Sequence, residues 1–162
     1  MLKFALGLIA LLATASAGLA EEMTVTTPDA LKWGPAPPVL PKGAQLAVLS
    51  GDPGATGPYV VRLKLPAGYA VPAHNHPTTE NVTVISGTFN IGMGDKLDKT
   101  KAQVLKAGGV FSMPAKMNHY AWASSAAVIQ IHGDGPFAIT YVNAADDPSN
   151  RHHGELLSHK YP

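Results

Sequence analysis

The sequence predicts an all-β protein folded as a single jelly-roll barrel, and three observations predict it. Short runs of β-branched and aromatic residues follow one another closely, each ended by a glycine or proline turn. The 162 residues include 16 Gly and 14 Pro, a turn-rich composition. After residue 20, no amphipathic stretch of useful helical length is present.

Residues 1–20 stand apart from that barrel. Lys3 supplies a basic start, Phe4 to Leu12 an apolar run, and Ala13 to Ala20 a small-residue stretch. That order is the pattern of a secretory signal peptide, with cleavage expected after Ala20 and Ala17 as the alternative. The apolar run is short of the roughly 20 residues a membrane span needs. The mature chain is therefore expected in a periplasm or outside the cell, with no stable membrane insertion. The sequence holds no cysteine, which excludes a lipid-bearing cysteine and a disulfide framework. Losing Lys3 with the leader leaves eleven of the 12 basic residues against 11 acidic ones. A neutral chain with scattered charge has no footprint for nucleic acid or an anionic surface, so no nucleic-acid partner is expected.

Residues 21–43 form a lead-in kept extended by Pro28, Pro35, Pro37, Pro38 and Pro41. Trp33 is its large apolar anchor, expected to pack on the barrel exterior. The barrel is assigned to residues 44–143. Ala44–Ser50 is the first strand, before the turn Gly51-Asp52-Pro53-Gly54. Tyr59–Leu65 alternates, with Arg62 and Lys64 on one face. Pro66-Ala67-Gly68 turns the chain into a strand carrying His74 and His76. Glu80–Ile85 is β-branched, and Ser86-Gly87 turns tightly into Thr88–Met93. Asp95–Lys101 reads as a charged, solvated connection. Gln103–Leu105, Val110–Met113, His119–Ala123, Ala127–His132 and Phe137–Val142 complete the strands. Residues 144–162 read as a polar, mobile tail, whose His152, His153 and His159 are solvated and stand outside any site.

The chemistry concentrates in Ala73-His74-Asn75-His76-Pro77-Thr78-Thr79-Glu80. Histidines two apart on a strand share a face, close enough to lean onto one ion at about 2.0–2.2 Å from each nitrogen. Pro77 ends the strand, and Glu80 enters from the next with a carboxylate. His119 follows the turn Pro114-Ala115-Lys116-Met117-Asn118. Three histidines and a glutamate around one metal are the expected centre. With His119 pointing inward, Ala121 and Ala123 do so too, while Tyr120 and Trp122 face outward or toward a second subunit. Val82 and Val84 share the inward face of the Glu80 strand and give the site an apolar wall. Gln130 and His132 share a face of a late strand and are candidates to orient a ligand or bind substrate; Tyr141 and Asn90 are weaker candidates.

The spacing Gly68, His74, His76, Glu80, Gly87 resembles the first motif of the cupin superfamily, with every position filled. Gly108, Pro114 and His119 meet part of the second, in which Lys116 stands where glycine is usual and Ala123 where asparagine is frequent. The resemblance runs from the mid-forties to Val142 and implies one small barrel with the metal inside it. It also implies a homodimer, with Trp33, Tyr120 and Trp122 available to its interface.

Four protein ligands would close a tetrahedral zinc site, whereas six-coordinate ions retain two positions for substrate and oxygen. Iron or manganese is favoured for the one divalent transition metal, ahead of nickel, cobalt or zinc. The resemblance to metal dioxygenases of the quercetinase kind implies a small-molecule oxidoreductase. Glu80 would there leave the metal to act as general base, which needs a raised pKa. The alternative is a metal or small-ligand binding and sensing module without turnover. A sugar isomerase or epimerase ranks third.

Overall fold

The structure, a computed structural model, describes residues 23–150. The segment expected to be a signal peptide and the tail histidines His152, His153 and His159 lie outside the described residues. The strands are β1 (Gly34–Pro35), β2 (Gln45–Ser50), β3 (Gly57–Leu65), β4 (Ala70–Asn75), β5 (Glu80–Ser86), β6 (Thr88–Met93), β7 (Gln103–Lys106), β8 (Val110–Met113), β9 (His119–Ala123), β10 (Ala127–Gly135) and β11 (Thr140–Tyr141). They form two antiparallel sheets, a six-stranded one ordered β1-β2-β3-β10-β5-β8 and a five-stranded one ordered β11-β4-β9-β6-β7. The expected all-β jelly roll is the fold observed. Between the sheets lies one apolar core, in which Val61, Leu63, Val82, Val84, Ile129 and Ile131 come from neighbouring strands of the larger sheet.

Strand parity follows the sequence pattern. On β3, Tyr59, Val61, Leu63 and Leu65 are buried, while Arg62 and Lys64 turn outward. Gly87 joins β5 to β6 with φ of 79°, and a Cβ there would collide with the backbone of Ala126 and Ala127. Only glycine suits that turn.

The lead-in is fastened to the barrel. Gly34 and Pro35 pair with Leu46 and Gln45 as a short edge strand. Lys64 places its ammonium 4.4 Å from the centre of the Trp33 ring on the exterior. Further along, the hydroxyls of Tyr69 and Tyr141 donate to the carbonyls of Pro41 (2.7 Å) and Val39 (2.8 Å). Leu40, held in a turn by its N–H bond to Pro37 O, is buried in the core.

Four expectations need correction. Tyr120 and Trp122 face away from the core but are buried, with Ala73, under Leu97 and Ala102. The tyrosine hydroxyl donates to Asp98 O at 2.9 Å. The connection expected to be merely solvated therefore covers them, which removes both rings from any subunit interface. The Phe137–Val142 strand shrinks to Thr140–Tyr141, because Phe137 N–H bonds to Pro53 O and Ala138 O bonds to a histidine ring. The strand expected to stop at His132 runs on to Gly135, since Gly57–Tyr59 offers partners for Gly133–Gly135. Within the tail, residues 144–150 form local turns: Asn143 caps the short Ala144–Asp146 turn, and Asp147 accepts from Ser149.

Candidate metal centre

β4 carries His74 and leads directly to His76, and the register shift between Val71 and His74 aims both rings inward. Pro72, which has no N–H for the ladder, lies inside that bulge. Val71 and His74 both face the cavity, whereas Ala73 packs with the outer Tyr120 cluster. Without the extra residue, alternation would send His74 and His76 to the opposite face from Val71.

β9 supplies His119 directly opposite His74. The turn before it is closed by Lys116, with φ of 63°, the one non-glycine at positive φ among the described residues. The lysine takes the left-handed conformation itself, fixed by its N–H bond of 2.8 Å to His76 O. Asn118 completes the brace, accepting from Asn75 Nδ2 at 2.8 Å and donating to Asp95 at 2.7 Å. β5 begins with Glu80, which is buried.

The three imidazoles converge. One ring nitrogen from each of His74, His76 and His119 lies within 4.8 Å of the others, a spacing that fits a metal ion. In every case Nδ1 meets a backbone carbonyl: Pro72 O at 2.7 Å, Ala138 O at 2.8 Å and Met117 O at 3.0 Å. A carbonyl only accepts, so each Nδ1 carries the proton and each Nε2 presents a lone pair inward. Glu80 Oε2 stands 3.5 Å from His76 Nε2 and 3.6 Å from His119 Nε2. His76 Nε2 is buried and has no hydrogen-bond partner. A buried lone pair without a partner is costly in a closed apolar core, and a divalent ion between these donors would satisfy it.

The electrostatics are those of a site kept free of protons. Burial pushes His74 down to about 3, helped by the neighbouring His119. For Glu80 burial works upward, but the neighbouring His119, together with His76 and His74, outweighs it and holds the carboxyl below its ordinary value. A general base needs a raised pKa, and in the metal-free site the imidazoles act on Glu80 in the opposite direction. The cavity beside these groups measures about 40 Å³, and its remaining walls are apolar, among them Val82, Phe111, Ala121 and Phe137.

Other sequence candidates fall elsewhere. Gln130 and His132 turn away from the cavity, because their neighbours Ile129 and Ile131 line it. Gln130 instead accepts from Arg62 Nε at 3.0 Å, and His132 is exposed. Asn90 is buried on the far side of β6, donating to Trp122 O and Ser124 Oγ. Tyr141 is the register partner of His74, with ring centres 6.0 Å apart, and its hydroxyl is committed to Val39 O. Sequence reasoning missed the three carbonyls, which carry no residue signature, and Phe137, whose ring stands 5.3 Å from that of His76. It also missed Leu40, which the lead-in contributes to the cavity wall.

A family profile described as "Domain of unknown function (DUF4437)" matches residues 15–140. Germin-like protein subfamily 2 member 1 of Arabidopsis thaliana is 33% identical over 108 residues, 62% of this chain and 49% of the plant protein. The chain spans about half the length of that curated relative. Among solved structures, a putative acetylacetone dioxygenase from Methylibium petroleiphilum PM1 superposes with a TM-score of 0.60 at 19% identity, covering 83% of this chain and 90% of that one. An RmlC-like cupin from Shewanella frigidimarina NCIMB 400 gives 0.53 at 16% identity, covering 67% and 87%. At these identities the structural likeness is one of fold.

Proposed function

This chain belongs to the DUF4437 family and is a single-domain cupin, and from that we propose that it holds one divalent transition metal on His74, His76, His119 and Glu80 and oxidises a small molecule with dioxygen. The observation that carries this is the set of three Nδ1–carbonyl bonds, which leaves three inward Nε2 lone pairs and one of them buried without a partner. Nitrogen donors with one carboxylate suit iron or manganese, which accept more ligands than these four. Nickel, cobalt and zinc are the competing ions. When bound, such an ion supplies Lewis acidity and electron transfer toward dioxygen.

The chain's own groups set the conditions for that chemistry. Carbonyls of Pro72, Met117 and Ala138 hold the rings in one tautomer and orientation. Glu80, ionised at neutral pH, is a weak proton acceptor and serves as a donor oxygen to the ion. Val82, Phe111, Ile129 and Phe137 exclude water and lower the local dielectric. A cavity of about 40 Å³ admits only the small reacting end of a substrate, not a whole flavonol. The same closeness supports the second reading, a binding or sensing module without turnover. A sugar isomerase ranks below both, because the apolar walls offer sugar hydroxyls few partners.

The deciding experiment is elemental analysis of the untagged protein, with oxygen uptake measured on the same sample against small chelating substrates. Stoichiometric iron or manganese with substrate-dependent uptake is expected. Tightly held zinc without uptake would establish the binding module, and no metal after reconstitution would remove the centre altogether. The basic, apolar and small-residue order of residues 1–20 supports export to a periplasm or the exterior. Deleting residues 2–20 should then leave the protein in the cytoplasm, and export without them would refute the leader.

A further inference from the structure

A second cavity adjoins the metal centre. It measures about 170 Å³ and is lined by Val39 and Leu40 of the lead-in, by Leu46, Leu63 and Ile131 of the larger sheet, and by Phe137. Leu40, Leu63, Ile131 and Phe137 line both this chamber and the smaller one at the histidines, so they form the partition between the two. Exposed Pro37 and Gly54 lie at its rim, where the chamber meets solvent. The lead-in wall is positioned by the Tyr69 and Tyr141 hydroxyl bonds to Pro41 and Val39, and the opposite wall by the bond from Phe137 N–H to Pro53 O.

We infer that this outer chamber binds the apolar tail of the substrate while its two-oxygen chelating head passes between Leu40 and Phe137 to the metal. This rests on the metal reading above. Size and lining set the chemical class. An apolar cavity of about 150 Å³ lined by Leu, Ile and Phe accepts benzene, so a chamber of about 170 Å³ suits a phenyl ring or a short alkyl chain. No charged side chain lines it, so a charged or hydroxylated tail would lose hydration without gaining a partner. The ligand is thus a compact bidentate oxygen chelator with a neutral tail of up to roughly six carbons. The partition gives Phe137 two contacts at once, the His76 ring on one side and the tail on the other.

Hydroxamates test this, because one bidentate head can carry any tail. Manganese-loaded protein, with its metal content measured, is titrated with acetohydroxamate, benzohydroxamate and dodecanohydroxamate. Benzohydroxamate should bind roughly tenfold or more tighter than acetohydroxamate, and the twelve-carbon chain should lose that advantage. In Leu46→Phe, whose ring would occupy the chamber, the difference between the two short probes should collapse. Val39→Phe is the second variant should the first fail to fold, with metal content as the check on each. Metal-loaded protein that binds the three probes equally, or variants that keep the full preference for benzohydroxamate, would overturn the chamber's role alone. Protein that takes up no metal would overturn the centre and this proposal together.

Discussion

His74 and His119 are register partners across the β4–β9 ladder, with ring centres 4.2 Å apart inside the barrel. Two imidazoles this close and this deeply buried disfavour charge on one another. The metal-free protein should therefore be acid-sensitive. In the folded state His74 is lowered to about 3, whereas an unfolded histidine titrates near 6.5. Between those values the unfolded chain binds a proton that the folded chain does not. The stability is full above about pH 6.5 and falls as pH drops toward 3. Glu80, held below its ordinary value, acts in the same direction once pH falls through the carboxylate range. Urea midpoints of metal-free protein at pH 7, 5.5 and 4.5 should descend in that order, and a flat series would contradict the buried neutral histidine.

His119→Ala should reduce metal affinity by more than about a hundredfold while circular dichroism still reports a β-barrel. The other three donors come from the single stretch His74 to Glu80, which the β4 and β5 ladders hold without His119. Unchanged metal stoichiometry in this variant would take His119 out of the centre.

Lys116→Gly should stabilise the protein by about 1 kcal/mol, because a residue with a Cβ is strained at φ of 63°. The gain is reduced by the extra freedom glycine has in the unfolded chain. Thermal unfolding checks the sign, and a lower midpoint would show that the lysine stabilises the turn by some other contact.

Tyr120 is fully buried beneath the 95–102 connection, so Tyr120→Ala should cost about 3–5 kcal/mol. Tyr120→Phe, which leaves Asp98 O without its donor, should cost about 1 kcal/mol. Gly92 approaches this ring so closely that a Cβ would overlap it, and Gly92→Ala should be as disruptive as removing the ring. Denaturant titration of the three variants gives the ranking, and a harmless Gly92→Ala would mean the ring can move aside.

Much of this was legible in the chain. Strand-forming runs between glycine and proline turns mark nearly every strand, and the spacing from His74 to Glu80 names the residues that meet in the barrel. Alternation puts Gln130 and His132 on one shared face but leaves its direction open, since chemical suitability does not decide which face of β10 points inward; the burial of Ile129 and Ile131 does. Alternation places Tyr120 and Trp122 on the side away from the core, but their cover comes from Leu97 and Ala102, residues without a periodic pattern. The bulge at Pro72 depends on a backbone register that only the assembled sheet displays.

The three histidines are oriented by the main chain, through the carbonyls of Pro72, Met117 and Ala138, and not by acidic side chains. Every amino acid has that carbonyl, so the support survives drift at positions 117 and 138 so long as the local backbone path is kept. Insertions and deletions are another matter, because one residue gained or lost near Pro72 or in the 114–118 turn shifts a carbonyl away from its ring. The centre is consequently tolerant of altered letters beside its ligands and intolerant of altered spacing.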